Sequence, residues 1–296
     1  MNRKSNFLLV ITFMGSLMFM GMAGLPFVLF EQSQLSPHLV AGLRLTLVGV
    51  LALAVGAVTG FKNPLKKELS RSDIKDWFAF VGLAVVGVNC TLTYALYYLD
   101  DRIAMAVMFV AIGIVFIAYY PAKLTAWVAA LLAIAGTALL ALYAQDTEKT
   151  ELQGIVLAAI GGVSQGIIFF KKRLMPKNFD PGTALGTAFL LGGMFMITSA
   201  VFVTPVTKPL YEMPEFLIGM AISAVFTVLA WLVLGYASDK MSGAQKAGAA
   251  SFEPIGAAVT QSIKLGFPVL GELLGVVLLV ASALVAIWIK PKETET

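Results

Sequence analysis

The chain has 296 residues, 59% of them hydrophobic and 13% charged, with a mean hydropathy of +0.87. That balance excludes an ordinary soluble domain, which carries about twice the charge. The net charge of +4 is spread over short connections, so there is no basic domain and nucleic acid is not an expected partner.

A membrane-crossing helix needs about 20 mainly apolar residues. Ten runs along the chain meet that need: 7–30, 36–59, 76–98, 102–119, 123–144, 152–173, 182–203, 216–238, 242–265 and 269–289. Backbone facing lipid must satisfy its own hydrogen bonds, so each run is predicted to be a helix. A β-barrel would need short alternating segments, which are absent. The first run is too long for a cleavable signal peptide and lacks a small-residue cleavage site. The connection from Phe61 to Asp76 is predicted to form a small surface helix. Cys90, inside the third run, is the single cysteine; it reads as a small core residue and allows no intrachain disulfide.

Basic residues sort by side. Arg3, Lys4, the cluster from Lys62 to Lys75, Lys123, the cluster from Lys171 to Lys177, Lys240, Lys290 and Lys292 fall on one face of the bilayer. Arg102, Lys149, Lys208 and Lys264 fall on the other. The richer side is expected to be cytoplasmic, which puts both termini inside. Tyr119, Tyr120 and Trp127 then lie at the inner surface and read as belt residues.

The linker from Ala144 to Glu151 divides the runs five and five, giving expected halves 1–146 and 147–296. Echoes link the halves. Pro37, Gly42 and Gly49 match Pro181, Gly186 and Gly193 at one constant offset, and the stretch from Leu131 to Gly136 echoes Val277 to Ser282. Five is odd, so the second half must cross the membrane upside down. The expected fold class is therefore an all-α membrane protein with ten transmembrane helices, arranged as two inverted five-helix repeats around a central cavity. Secondary transporters often use that plan, with the solute site near the midplane.

Polar residues converge on that plane. Glu253 falls at the centre of the ninth run. At 1.5 Å per residue, Asn89 lies about 3 Å outward of centre in the third run, Gln165 about 4 Å inward in the sixth, and Arg44 about 5 Å outward in the second. A charge at this depth costs about 2.5–3.5 kcal/mol, so such residues are expected to face an interior or a wet cavity. The alternative is that each only glues two helices by hydrogen bonding. Pro254 removes a backbone donor beside Glu253 and predicts a kink. Lys246, Glu253 and Lys264 are expected to share one helix face. Tyr94 is placed to line an outer vestibule, and Trp231 lies deeper than an interfacial belt residue should. Together these make Glu253, Arg44, Asn89, Gln165, Lys246, Tyr94 and Trp231 the candidate cavity residues, with Pro254 the hinge.

The chain resembles the ten-helix branch of the drug/metabolite transporter superfamily, with two EamA-like repeats. The resemblance rests on the ten-run layout and on Phe252-Glu253-Pro254, Leu265-Gly266-Phe267-Pro268 and Leu270-Gly271-Glu272-Leu273-Leu274-Gly275. Phe267 stands where such sequences often have glutamate, and Tyr119-Tyr120-Pro121 in the first half also lacks it. The resemblance implies export of small organic solutes, such as amino acids, related metabolites or drugs, across a plasma (inner) membrane without nucleotide hydrolysis. A sugar-phosphate type exchanger holding its anion on Arg44 and Lys246, and a channel or scaffold, are the alternatives.

Missing chemistry agrees. His38 is the single histidine, so a histidine zinc site or a histidine triad is excluded within the chain. No phosphate-loop motif occurs. The expectation is a carrier that is not an enzyme, binds no cofactor or metal, and has a small solute, the bilayer and coupling protons as its partners.

Overall fold

The computed structural model describes residues 3–22, 36–59, 70–142, 151–171, 175, 180–203, 214–237, 240–265, 270–287 and 289. Among them the regular structure is helix, with no strand. The helices are α1 (Arg3–Gly21), α2 (Pro37–Thr59), α3 (Arg71–Tyr98), α4 (Asp101–Tyr119), α5 (Leu124–Leu142), α6 (Leu152–Phe170), α7 (Pro181–Val203), α8 (Pro214–Ala237), α9 (Gly243–Ala250), α10 (Glu253–Leu265) and α11 (Leu270–Ile287). Seven of them, α2 to α8, are long and apolar enough to cross a membrane; α1 and α11 hold shorter apolar stretches, Leu9–Met18 and Gly271–Ala286. Outward faces stay apolar: Val58, Leu124 and Phe195 are 89%, 77% and 70% exposed, an arrangement suited to hydrocarbon.

Two boundaries differ from expectation. Arg71 to Asp76 is the start of α3 rather than a separate surface helix, because Ser70 caps it: Ser70 Oγ accepts from the Asp73 N–H at 3.1 Å and Asp73 Oδ2 accepts from the Ser70 N–H at 3.1 Å. The rest of that connection, 61–69, and the extension of the first run over 23–30 lie outside the described residues. The ninth run divides into α9 and α10 at Ser251 and Phe252. Its first piece is started by a second capping box, Ser242 with Gln245.

α3 changes pitch in its middle. Val81–Cys90 is π-helical, and the Thr91 N–H reaches back to the Val86 carbonyl. Asn89 Nδ2 donates to the Ala84 carbonyl five residues back at 2.7 Å, supporting the wide turn from within. Gly87 lets Ser164 of α6 come against this segment, since a methyl group there would overlap the serine side chain. π-helical insertions are frequent at functional sites.

Packing centres on α2 and α7, the most extensive helix pair. Both are 23 residues long and start at a proline, where the missing N–H costs nothing. They run antiparallel at backbone contact. A methyl at Gly42 would stand 2.8 Å from the Ile197 nitrogen, and one at Gly186 would stand 2.9 Å from that of Leu53. The same construction at Gly49 meets the Leu190 nitrogen at 2.5 Å, and at Gly193 the Thr46 nitrogen at 2.5 Å. α5 and α11 form the next most extensive pair, crossing where Gly136 meets Gly275. That crossing sets Gly136 against a different residue from Ser282, its partner in the sequence echo. α4 packs on α5 and α6, and α1 packs on α8 and α10.

Replacing Gly193 by Leu is expected to lower stability by about 1–3 kcal/mol or more, the cost of overpacking a close contact. A thermal melt in fixed detergent checks this; an unchanged melting temperature would mean that α2 and α7 do not touch as described.

Candidate functional site

The polar residues predicted to share one chamber sort into two clusters and three separate positions. In the first cluster, Gln165 Nε2 on α6 donates to Glu253 Oε2 on α10 at 2.7 Å. Both are buried, Glu253 completely. Gln165 Oε1 is buried with no hydrogen-bond partner among the described residues. α1 backs the site: a methyl at Gly21 would overlap the Glu253 carbonyl, and one at Gly256 would overlap that of Met18.

The helix break explains why a carboxylate is tolerated here. α9 closes with tight turns, Ser251 N–H to the Gly248 carbonyl and Phe252 N–H to the Ala249 carbonyl, both 3.1 Å. Glu253 and Pro254 then open α10, so the carboxylate sits in a helical first turn, where free N–H groups and the helix dipole favour negative charge. Proline belongs at such a start. The predicted kink is thus a full break. Ser282 Oγ donates to the Ala129 carbonyl at 2.7 Å, which leaves its lone pairs for Ser251 at 3.3 Å. The break is thereby pinned to both α11 and α5.

In the second cluster, Arg44 of α2 reaches across the bundle. Its Nη1 donates to Thr93 Oγ1 of α3 and its Nη2 to Thr227 Oγ1 of α8, both at 3.3 Å. Each threonine spends its own hydrogen on the carbonyl four residues back, Asn89 at 2.7 Å and Ser223 at 2.8 Å. Their lone pairs therefore face the guanidinium. Asn89 enters this cluster through its backbone carbonyl, while its amide serves the π-turn.

The other candidates are placed elsewhere. Lys246 is buried and donates to the Lys171 carbonyl at 3.1 Å, a cation capping the C-terminal end of α6. The face count that aligned it with Glu253 fails because the helix is broken between them. Tyr94 meets His38 edge-on at 5.1 Å. Trp231 is buried against Phe80 at 5.9 Å and Phe189 at 6.0 Å, and its indole N–H has no hydrogen-bond partner among the described residues. A cavity of about 590 Å³ lined by described residues does not lie at Glu253; it lies between α3, α6 and α7, with Tyr94 at one end.

Two further contacts close the ends of α4. Arg102 in its first turn forms a buried ion pair with Glu272 in the first turn of α11. At the far end, Tyr119 stacks on Phe170 of α6 at 4.2 Å and Phe116 stacks on the same ring at 5.9 Å, with Tyr120 edge-on to all three. Tyr120 is 1% exposed and so is a packing residue rather than the expected belt residue, whereas Trp127 is 42% exposed and donates to the Pro121 carbonyl at 3.1 Å. Sequence reading missed Arg102–Glu272, although both were legible as lying on one side of the bilayer. It also missed Thr93 and Thr227; Thr93 stands one turn after Asn89, a spacing that could have placed it on the same face.

Among the described residues no cluster of three or more histidine, cysteine, aspartate or glutamate side chains is arranged to hold a metal ion.

No protein-family model matches the sequence, and no curated protein matches it. A solved crystal structure of a protein aligns with 96% of this chain and 98% of its own, at a TM-score of 0.71 and 16% identity. Identity that low speaks for a shared fold alone. Fold and composition together define an all-helical protein suited to a bilayer.

Removing the amide at Gln165 by substitution to Leu is expected to lower stability by about 1.5–3 kcal/mol, as for a lost hydrogen bond to a charged group. Glu253→Gln should cost less, because the substituted amide still accepts from Gln165. Equal losses for the two variants in a detergent melt would show that the 2.7 Å bond does not form.

Proposed function

We propose that this protein is a secondary transporter of small organic solutes in the drug/metabolite transporter superfamily, built from two inverted EamA-like halves and exporting by alternating access. The observation that carries the reading is the α2–α7 crossing. These helices share Pro37/Pro181, Gly42/Gly186 and Gly49/Gly193 at one offset, and they pack antiparallel. Shifting by that offset exchanges the Gly42–Ile197 contact with Gly186–Leu53, and Gly49–Leu190 with Gly193–Thr46. Two-fold inverted halves would produce that exchange. The α4–α6 contact likewise mirrors α10–α1, and α3–α6 mirrors α8–α1.

Other features fit a carrier. Glu253 lies at the break of a discontinuous helix, the usual setting of a coupling-ion or solute site in inverted-repeat transporters. In this reading Glu253 exchanges a proton or meets a solute ammonium, and Gln165 orients it. The two ends of α4 are sealed by different chemistry, the Arg102–Glu272 ion pair outside and the Phe116-Tyr119-Tyr120-Phe170 stack inside. Alternating access requires one seal to hold while the other opens. The distribution of basic residues supports cytoplasmic termini in this reading, with the plasma membrane as the proposed location. Buried Arg44, with its two hydroxyl partners, favours the sugar-phosphate type exchanger as the second reading.

Counterflow in proteoliposomes tests this. Saturable exchange of a labelled amino acid or organic cation is expected, with pH dependence in the native protein and none in Glu253→Gln. Retained pH dependence in that variant would remove Glu253 from coupling, and competition by inorganic phosphate would favour the exchanger. Non-saturable flux would point to a channel.

Loss of either Arg102 or Glu272 charge, in R102Q or E272Q, is expected to weaken the outer seal. Transport should fall by at least tenfold, and the reciprocal exchange R102E/E272R should restore part of it. Single variants as active as the native protein would mean that this pair is no gate.

A further inference from the structure

We infer that the lateral groove between α3, α6 and α7 is a binding site for one acyl chain of a membrane lipid. The groove holds about 590 Å³ and is lined by Val85, Val86, Thr91 and Tyr94 of α3 and Leu191 and Phe195 of α7, with Leu157 of α6 at its back. It opens sideways. Val86, Leu191 and Phe195 on its rim are 55%, 52% and 70% exposed, and they belong to helices long and apolar enough to cross a membrane. The medium at that depth is hydrocarbon.

The walls choose the occupant. A stable water needs two to four polar partners, and this groove offers almost none. Thr91 commits its hydroxyl hydrogen to the Gly87 carbonyl at 2.6 Å and so has none to give a ligand. Gly192 brings α7 against Val85, where a methyl group would overlap the valine side chain, and this contact closes the floor. An empty cleft of this size forfeits dispersion contacts along its whole lining. A flexible apolar chain from the surrounding bilayer removes that loss without burying any polar group.

Length and polarity fix the orientation. From Val81 to Tyr94 the groove follows α3 for at most about 20 Å at 1.5 Å per residue. Half of a hydrocarbon core is about 15 Å, the depth one leaflet's chains fill. The groove therefore takes one chain end to end. Its polar end is at Tyr94, which packs edge-on against His38 at 5.1 Å, close to the end of α3 at Tyr98. Amphipathic aromatics lie at headgroup level, so the headgroup sits at that end and the chain tip lies near Val81. The inference does not depend on transport.

Phosphatidylcholine carrying a mid-chain diazirine, doped into phosphatidylcholine nanodiscs holding the full chain, is the probe. After illumination and peptide mass spectrometry, adducts are expected on Val81–Tyr94 and Leu191–Met196 at several times the level at Leu131 and Val277, which are 57% and 60% exposed on other faces. Leu157→Trp, which fills the groove from α6, should cut those groove adducts at least fivefold and leave the Leu131 level unchanged. Thr91→Phe fills it from α3 and serves if the first variant does not fold. Adducts that simply follow exposure, or that persist in both filled variants, would overturn the site and leave only bulk lipid contact.

Discussion

A polar group in hydrocarbon has no water to fall back on, and most of this architecture answers that constraint. Backbone groups are closed into helices, and hydroxyls are folded back onto their own helix: Thr93 on Asn89, Thr137 on Ala133, Thr187 on Thr183 and Thr227 on Ser223. A hydroxyl used this way costs no unpaired donor and still presents lone pairs sideways. That is how a buried arginine can be held between α3 and α8 by two neutral side chains. Where the helix itself gives way, at Ser251, the Ser282 hydroxyl of α11 meets the Ser251 hydroxyl and donates in turn to the Ala129 carbonyl of α5.

The same constraint shapes helix association. Without water to expel, helices join by close packing and by hydrogen bonds, and small residues allow both. Backbone contact at Gly42, Gly49, Gly186 and Gly193 makes α2 and α7 a rigid spine. Larger residues flank that spine, and α3, with its π-helical turn, packs on it less extensively than α7 does on α2. The lateral groove lies in that looser seam.

Much of the fold was legible in the sequence because hydropathy and span length are dictated by the solvent, and because Pro37 and Pro181 mark matched helix starts. The Glu253 site was legible in part: its depth and the proline beside it marked the carboxylate, and Gln165 was placed at nearly the same level. What could not be read was rotation about each helix axis. Depth puts Arg44 and Asn89 in the plane of Glu253 and the face count adds Lys246, but the structure sends Lys246 to the end of α6 and turns the Asn89 amide inward on its own helix. The π-turn in α3 shifts azimuth again, and no residue pattern in Val81–Cys90 announces it. The Glu253–Pro254 pair reads as a kink in a continuous helix, whereas the chain divides there into two helices.

Charge placement along the molecule then acquires a mechanical meaning. The buried carboxylate at the α10 start is bonded to a neutral amide, and the helix terminus contributes only partial positive charge. A solute cation in that space would compete with the Gln165 amide for the carboxylate, and a proton would leave the amide a weaker, neutral acceptor. Either event acts on α6, because Gln165 belongs to it. α6 also carries the Phe170 end of the aromatic stack and the carbonyl held by Lys246. In the proposed carrier, a change in charge at Glu253 therefore has a direct covalent path along one helix to the inner seal. In the same proposal, the path to the Arg102–Glu272 pair is separate and runs through α4 or α11. Two seals reached by different helices from one carboxylate give an arrangement in which opening one end does not by itself open the other.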